Sequence, residues 1–113
     1  MPRSSQTRGS PSCLEAKMMA YIVGILQVET HIPLCNSLKE KRGVLLNLLN
    51  RIRKKLNVSA SEIGQCDKWR AAQLGFAAGG TDRDIVEKTL RAVVGIVEQD
   101  VHIDVVDYEI EFV

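Results

Sequence analysis

Aromatic residues make up only 4% of this 113-residue chain, with a single tryptophan, so its core must be built from aliphatic side chains. Cysteine is scarce and unpaired in pattern. Cys13, Cys35 and Cys66 are odd in number and widely spaced, with no CxxC, which excludes a disulfide framework or a zinc ribbon and points to a reduced, cytoplasmic protein with no metal site. No apolar run is long enough to cross a bilayer, and MPRSSQTRGSPSCLEAK lacks the apolar segment of a secretory signal, so no membrane partner is expected. Net charge is nearly absent too. At +1, any attraction to nucleic acid must come from a local patch. Gly79 and Gly80 precede a helical pattern without a Walker-type Lys and Ser or Thr, which reads as a turn rather than a phosphate loop.

What is present is an ordinary globular balance, 45% hydrophobic and 26% charged, in a chain the length of one small domain. Residues 1–17 read as a disordered N-terminal extension, and a domain over residues 18–113 starts at the Met18–Met19 pair. Charge is segregated along the chain. HIPLCNSLKEKRGVLLNLLNRIRKKL, from His31 to Leu56, holds Lys39, Lys41, Arg42, Arg51, Arg53, Lys54 and Lys55, seven of the fifteen Lys and Arg. After Arg91 there is none, while Glu98, Asp100, Asp104, Asp107, Glu109 and Glu111 follow.

Hydrophobic periodicity gives six elements. Ala20 to Ile32 is a β-branched strand with Ala20, Ile22, Gly24, Leu26, Val28 and Ile32 on its core face. Pro33 ends the ladder, and Ser37 with Glu40 forms a capping box. Leu38, Leu45, Leu48, Leu49, Ile52 and Leu56 form a helical stripe that stops at Asn57. Leu56 to Gly64 is a weaker strand with Val58 and Ala60 inward, Gln65 to Lys68 a loop, and Arg70 to Gly80 a strand with Ala72, Leu74, Phe76 and Ala78 inward. Thr81 and Asp84 read as a second capping box for a helix striped with Val86, Leu90, Val93 and Val97. Val101 to Val113 is the last strand, with a slip near Val105 and Val106 that suggests a bulge. Right-handed crossovers then give a ferredoxin-like βαββαβ fold, α+β, with four antiparallel strands, two helices on one face, and the strands from Ala20 and Arg70 central.

Two surfaces invite a function. Lys39, Lys41, Arg42, Arg51, Arg53, Lys54 and Lys55 suit a phosphate backbone, although Lys and Arg stems also cover core edges and basic residues favour helix C-termini. The open sheet face carries Tyr21, Val23, Ile25, Ala71, Gln73 and Ala77. Recognition sheets for RNA stack bases on aromatics of the central strands, and Ile25, Gln27, Gln73 and Gly75 provide none, so this face suits a protein partner or a homodimer. His31 and His102 are isolated. Trp69 reads as a plug at the end of the core, with Asp67 capping the turn before it. Gly43 and Gly95 fall on outer helix faces.

HIPLCNSLKEKR, LNVSASEIGQCDKWRAAQLGFAAGG and VVDYEIEFV resemble the YlxP-like family of small bacterial proteins of unknown function. The resemblance covers nearly all of Met19 to Val113, with His31, Pro33, Ser37, Leu38, Lys39, Glu40, Lys41, Arg42, Asp67 and Trp69 at matching positions. It implies a ferredoxin-like fold, no established catalytic residue and no cofactor. Family genes commonly lie beside those for translation initiation and ribosome maturation factors, which implies an RNA or ribosomal partner. Acylphosphatases share the strand and helix order but need an Arg in a phosphate-cradling loop after the first strand. HIPLCNS has none, so no such enzyme and no small-molecule substrate is expected. The leading expectation is an accessory protein for RNA or the ribosome. The alternative is a dimeric interaction module.

Overall fold

The computed structural model describes residues 21–113; the expected extension over residues 1–17 with its Cys13, the Met18–Met19 start and Ala20 lie outside the described residues. Strand β1 (Ile22–His31) leads to helix α1 (Leu38–Lys55), strands β2 (Ser59–Gly64) and β3 (Ala71–Gly80), helix α2 (Arg83–Gln99) and strand β4 (Asp104–Phe112). The strands form one antiparallel sheet in the order β2-β3-β1-β4, so β1 and β3 are central, as alternation and crossover handedness predict. The α+β ferredoxin-like arrangement is therefore present, with α1 packed over β2 and α2 over β1, β3 and β4.

The core is aliphatic. Leu26, Val28, Leu74, Leu48, Ile52, Leu90, Val93 and Val97 are sealed from solvent, and Phe76 is the one aromatic among the fully buried side chains described. Burying each such side chain contributes roughly 1.5–3 kcal/mol, so this layer supplies the main stabilisation. Thr30 belongs to the same face by parity and is also sealed. Its hydroxyl donates to Ala72 O at 2.9 Å, so no polar group is stranded. Gly24 lies under α2. A Cβ there would stand 2.8 Å from both Leu90 and Val86, so only glycine lets the helix sit this close.

Local signals set the boundaries. Ser37 caps α1, its hydroxyl accepting from Glu40 N–H at 3.1 Å, while Glu40 Oε1 accepts from Asn36 N–H at 3.0 Å. The second helix starts one residue later than the Thr81–Asp84 pairing predicts. Asp82 is its cap and accepts from Asp84 N–H. The last strand begins at Asp104 rather than Val101, because Asp100 folds residues 100–103 into a turn by accepting from His102 N–H, which turns Ile103 into the core. The expected slip is present. Glu29 pairs with Asp107 and Thr30 with Val105, which leaves Val106 outside the register as a bulge residue.

Candidate functional site

On α1, successive side chains are turned by about 100°, so Lys39, Arg42 and Lys54 share roughly 120° of arc on the side away from Leu45, Leu48 and Ile52. All three are exposed, as is Lys55. Among the described residues, Lys39, Arg42, Lys54 and Lys55 meet no carboxylate within ion-pair distance. Four of the seven expected cations are thus exposed and without an ion pair among the described residues, Lys39, Arg42 and Lys54 on one side of α1 and Lys55 about 100° round from Lys54.

The other three have partners within the fold. Arg51 reaches across to the end of α2 and donates to Asp100 Oδ2 at 2.7 Å. Burial pushes the Asp100 carboxyl up, but the His102 N–H and the Arg51 guanidinium outweigh it and hold the group below its ordinary value of 3.8. Arg53 donates to Asn50 Oδ1 and to Ala60 O, which ties α1 to β2 while the side chain stays exposed.

Lys41 departs furthest from the expected rim. It is only 1% exposed. Its ammonium donates to Gln65 O and Lys68 O, both at 2.7 Å, and lies 2.7 Å from Glu62 Oε2, which has no other polar partner. Helical spacing explains the placement, since Lys41 falls three residues after Leu38 and four before Leu45, on the apolar stripe itself. Lys41 is therefore a structural cation and leaves the phosphate-contacting set.

Its partners form the turn before β3. Gln65 takes a left-handed conformation with φ 59°, and Lys68 N–H donates back to Gln65 O. Arg70 donates through Nε to Cys35 O at 2.9 Å, and Ile32 N–H donates to Arg70 O at 2.8 Å. The segment before α1 and the turn before β3 are thereby locked together at one end of the sheet. Trp69 does not plug the core as its apolar bulk suggests. It is 50% exposed. Strand parity carries the signal, because Trp69 is in phase with Ala71 and Gln73, which face away from the helices. A cavity of about 370 Å³ opens beside the turn, with His31, Lys68 and Arg70 in its wall. Cys35 is buried with its thiol donating to Ser37 O, whereas Cys66 is exposed in the turn.

The open sheet face has a different character. Val23, Ile25, Ala71, Gln73 and Ala77 are partly covered, and Tyr21, which is exposed, lies over Gly79. The register puts Glu111 beside Ile25, Glu109 beside Gln27 and Asp107 beside Glu29, so one margin of this face is a row of carboxylates. Among the described residues no helix is long and apolar enough to cross a membrane.

Comparison with known proteins follows the motifs. Residues 23–110 match the family described as "Protein of unknown function (DUF503)". The "Uncharacterized protein YlxP" of Bacillus subtilis (strain 168) is 40% identical over 77 residues, covering 68% of this chain and 84% of that protein. Among solved structures, the "De novo designed protein Foldit4" aligns over 82% of this chain and 96% of its own, at 9% identity and a TM-score of 0.49.

Proposed function

The chain belongs to the DUF503 family of proteins of unknown function, and we propose that it is an RNA- or ribosome-associated accessory protein that contacts phosphates through α1. The observation that carries this reading is the set of exposed cations Lys39, Arg42, Lys54 and Lys55 on one helix, none of which meets a carboxylate among the described residues. Surface cations without acidic partners release condensed counterions when they meet a polyanion, and that release drives binding with little sequence preference. Arg51 and Arg53 flank the group, each with donors left after its internal bonds. The row of Asp107, Glu109 and Glu111 on the opposite side of the sheet repels a backbone and so orients the protein with α1 toward the RNA. The family's gene neighbourhood favours a ribosomal RNA.

Co-sedimentation with purified bacterial ribosomal subunits tests the reading. Wild-type protein should pellet with a subunit at low salt and be released as salt rises. The variant Lys39→Ala/Arg42→Ala/Lys54→Ala/Lys55→Ala should remain in the supernatant while unfolding at the wild-type denaturant concentration. Equal pelleting of the two proteins would overturn the assignment to α1.

A further inference from the structure

The cations of α1 do not account for the turn from Gln65 to Arg70, which exposes the chain's only tryptophan on a support built at evident cost. Burying an ammonium carries a desolvation penalty that only good geometry offsets, and a left-handed glutamine is itself unfavourable. Both are accepted here to fix one short turn. Lys41 holds the carbonyls of Gln65 and Lys68 from beneath. Arg70 holds the far side through Cys35 O and through its own carbonyl, which accepts from Ile32 N–H. Trp69 therefore stands between two clamped residues, half exposed, with cationic neighbours in chain on both sides.

We propose that Trp69 is a stacking platform for one unpaired base of the bound RNA, with Lys68 and Arg70 taking the adjoining phosphates. An indole offers a flat π-face that accepts any base, and a pre-ordered turn loses little conformational freedom on binding. Lys68 and Arg70 flank the indole directly and favour a polyanion, with Asp67 in the turn and Glu29 in the cavity wall as the opposing acids. Lys68, Arg70 and His31 gather at this end of the sheet, and Lys39 and Arg42 follow on the first turns of the helix whose capping segment is tied to Arg70. The central strands offer no aromatic on the open face at Ile25, Gln27, Gln73 or Gly75. The loop end thus supplies what the sheet lacks, and the RNA would pass round this end of the sheet, from Trp69 on the side away from the helices to Lys39 and Arg42 on the first turns of α1. The inference rests on the RNA reading and extends it from phosphate contact with little sequence preference to recognition of a single-stranded segment.

Because no other tryptophan is present, the intrinsic fluorescence of the full chain reports on Trp69 alone. It would be titrated at low salt with end-labelled oligouridylate and with an abasic ribose-phosphate polymer of equal length, following anisotropy and tryptophan emission together. Oligouridylate should raise anisotropy and quench emission with one midpoint, whereas the abasic polymer should raise anisotropy without quenching. Trp69→Ala should weaken oligouridylate binding by about ten- to a hundredfold, the range that base–aromatic stacking supplies, and leave abasic binding unchanged. Trp69→Phe should retain most of the affinity. An anisotropy rise with no quenching, or equal quenching by the abasic polymer, would overturn the stacking site and leave the backbone reading standing. No anisotropy change with either polymer would overturn both and point to a protein partner for the exposed indole.

Discussion

Removing the Lys41 ammonium would leave the partly covered Glu62 carboxylate and the carbonyls of Gln65 and Lys68 without their counterpart. Lys41→Ala should therefore destabilise the fold by about 3–5 kcal/mol, the range for breaking a buried ion pair. Urea unfolding measures this, and a loss below about 1 kcal/mol, the scale of an exposed pair, would contradict the burial. At Gly24, an added methyl meets Leu90 and Val86 at 2.8 Å, so Gly24→Ala should cost about 1–3 kcal/mol through overpacking. Residue-scale legibility was uneven for a physical reason. Alternation identifies Leu26, Val28, Leu74 and Phe76 as core because burial of apolar surface obeys the pleat. The same period places Thr30, Lys41 and Trp69 correctly, but polarity and bulk argue against it. Thr30 and Lys41 are buried because partners on distant segments satisfy them, and those partners are not visible along the chain.

Among the elements, α1 joins a packing face to a charged one, and its N-terminal cap is readable because Ser37 and Glu40 act within four residues, whereas its end falls at Lys55 with Leu56 as cap rather than at Asn57. The start of α2 is ambiguous in the sequence because Thr81 and Asp82 are both good caps, and the structure uses Asp82. Gly43 faces open space, so Gly43→Ala should stabilise the protein by about 0.5–1 kcal/mol, as expected for an exposed helix interior. An unchanged thermal midpoint would contradict a free helix surface at Gly43. The contact between α1 and the end of α2 adds a pH dependence. The Asp100 carboxyl is held below its ordinary value, so its stabilising contribution is complete above 3.8 and is lost as pH falls through the lower folded-state value. Arg51→Ala should thus reduce stability at neutral pH, with the difference from wild type closing in the acid range. A difference that stays constant with pH would indicate that Arg51 acts by packing alone.

For the molecule as a whole, the strand order was legible because two right-handed βαβ crossovers leave few alternatives. The charge segregation was legible too, but its arrangement in space was not. Only the fold shows that the acids of β4 line the face opposite the helices and that three of seven basic side chains of α1 are engaged internally. What remains exposed makes a quantitative forecast. Four phosphate contacts on α1 contribute about −3 to the slope of log affinity against log salt, Lys68 and Arg70 steepen it further on a single strand, and each cation removed flattens it by about 0.7–0.9. The most direct measurement is this salt slope for a single-stranded ribosomal RNA fragment, taken for wild type and for Lys39→Ala, Arg42→Ala, Lys54→Ala and Lys55→Ala singly. A wild-type slope of about −3 or steeper, flattened by about one contact in each variant, is the predicted result. A slope near zero, or one that none of the four substitutions changes, would contradict the assignment of α1 as the phosphate-contacting element.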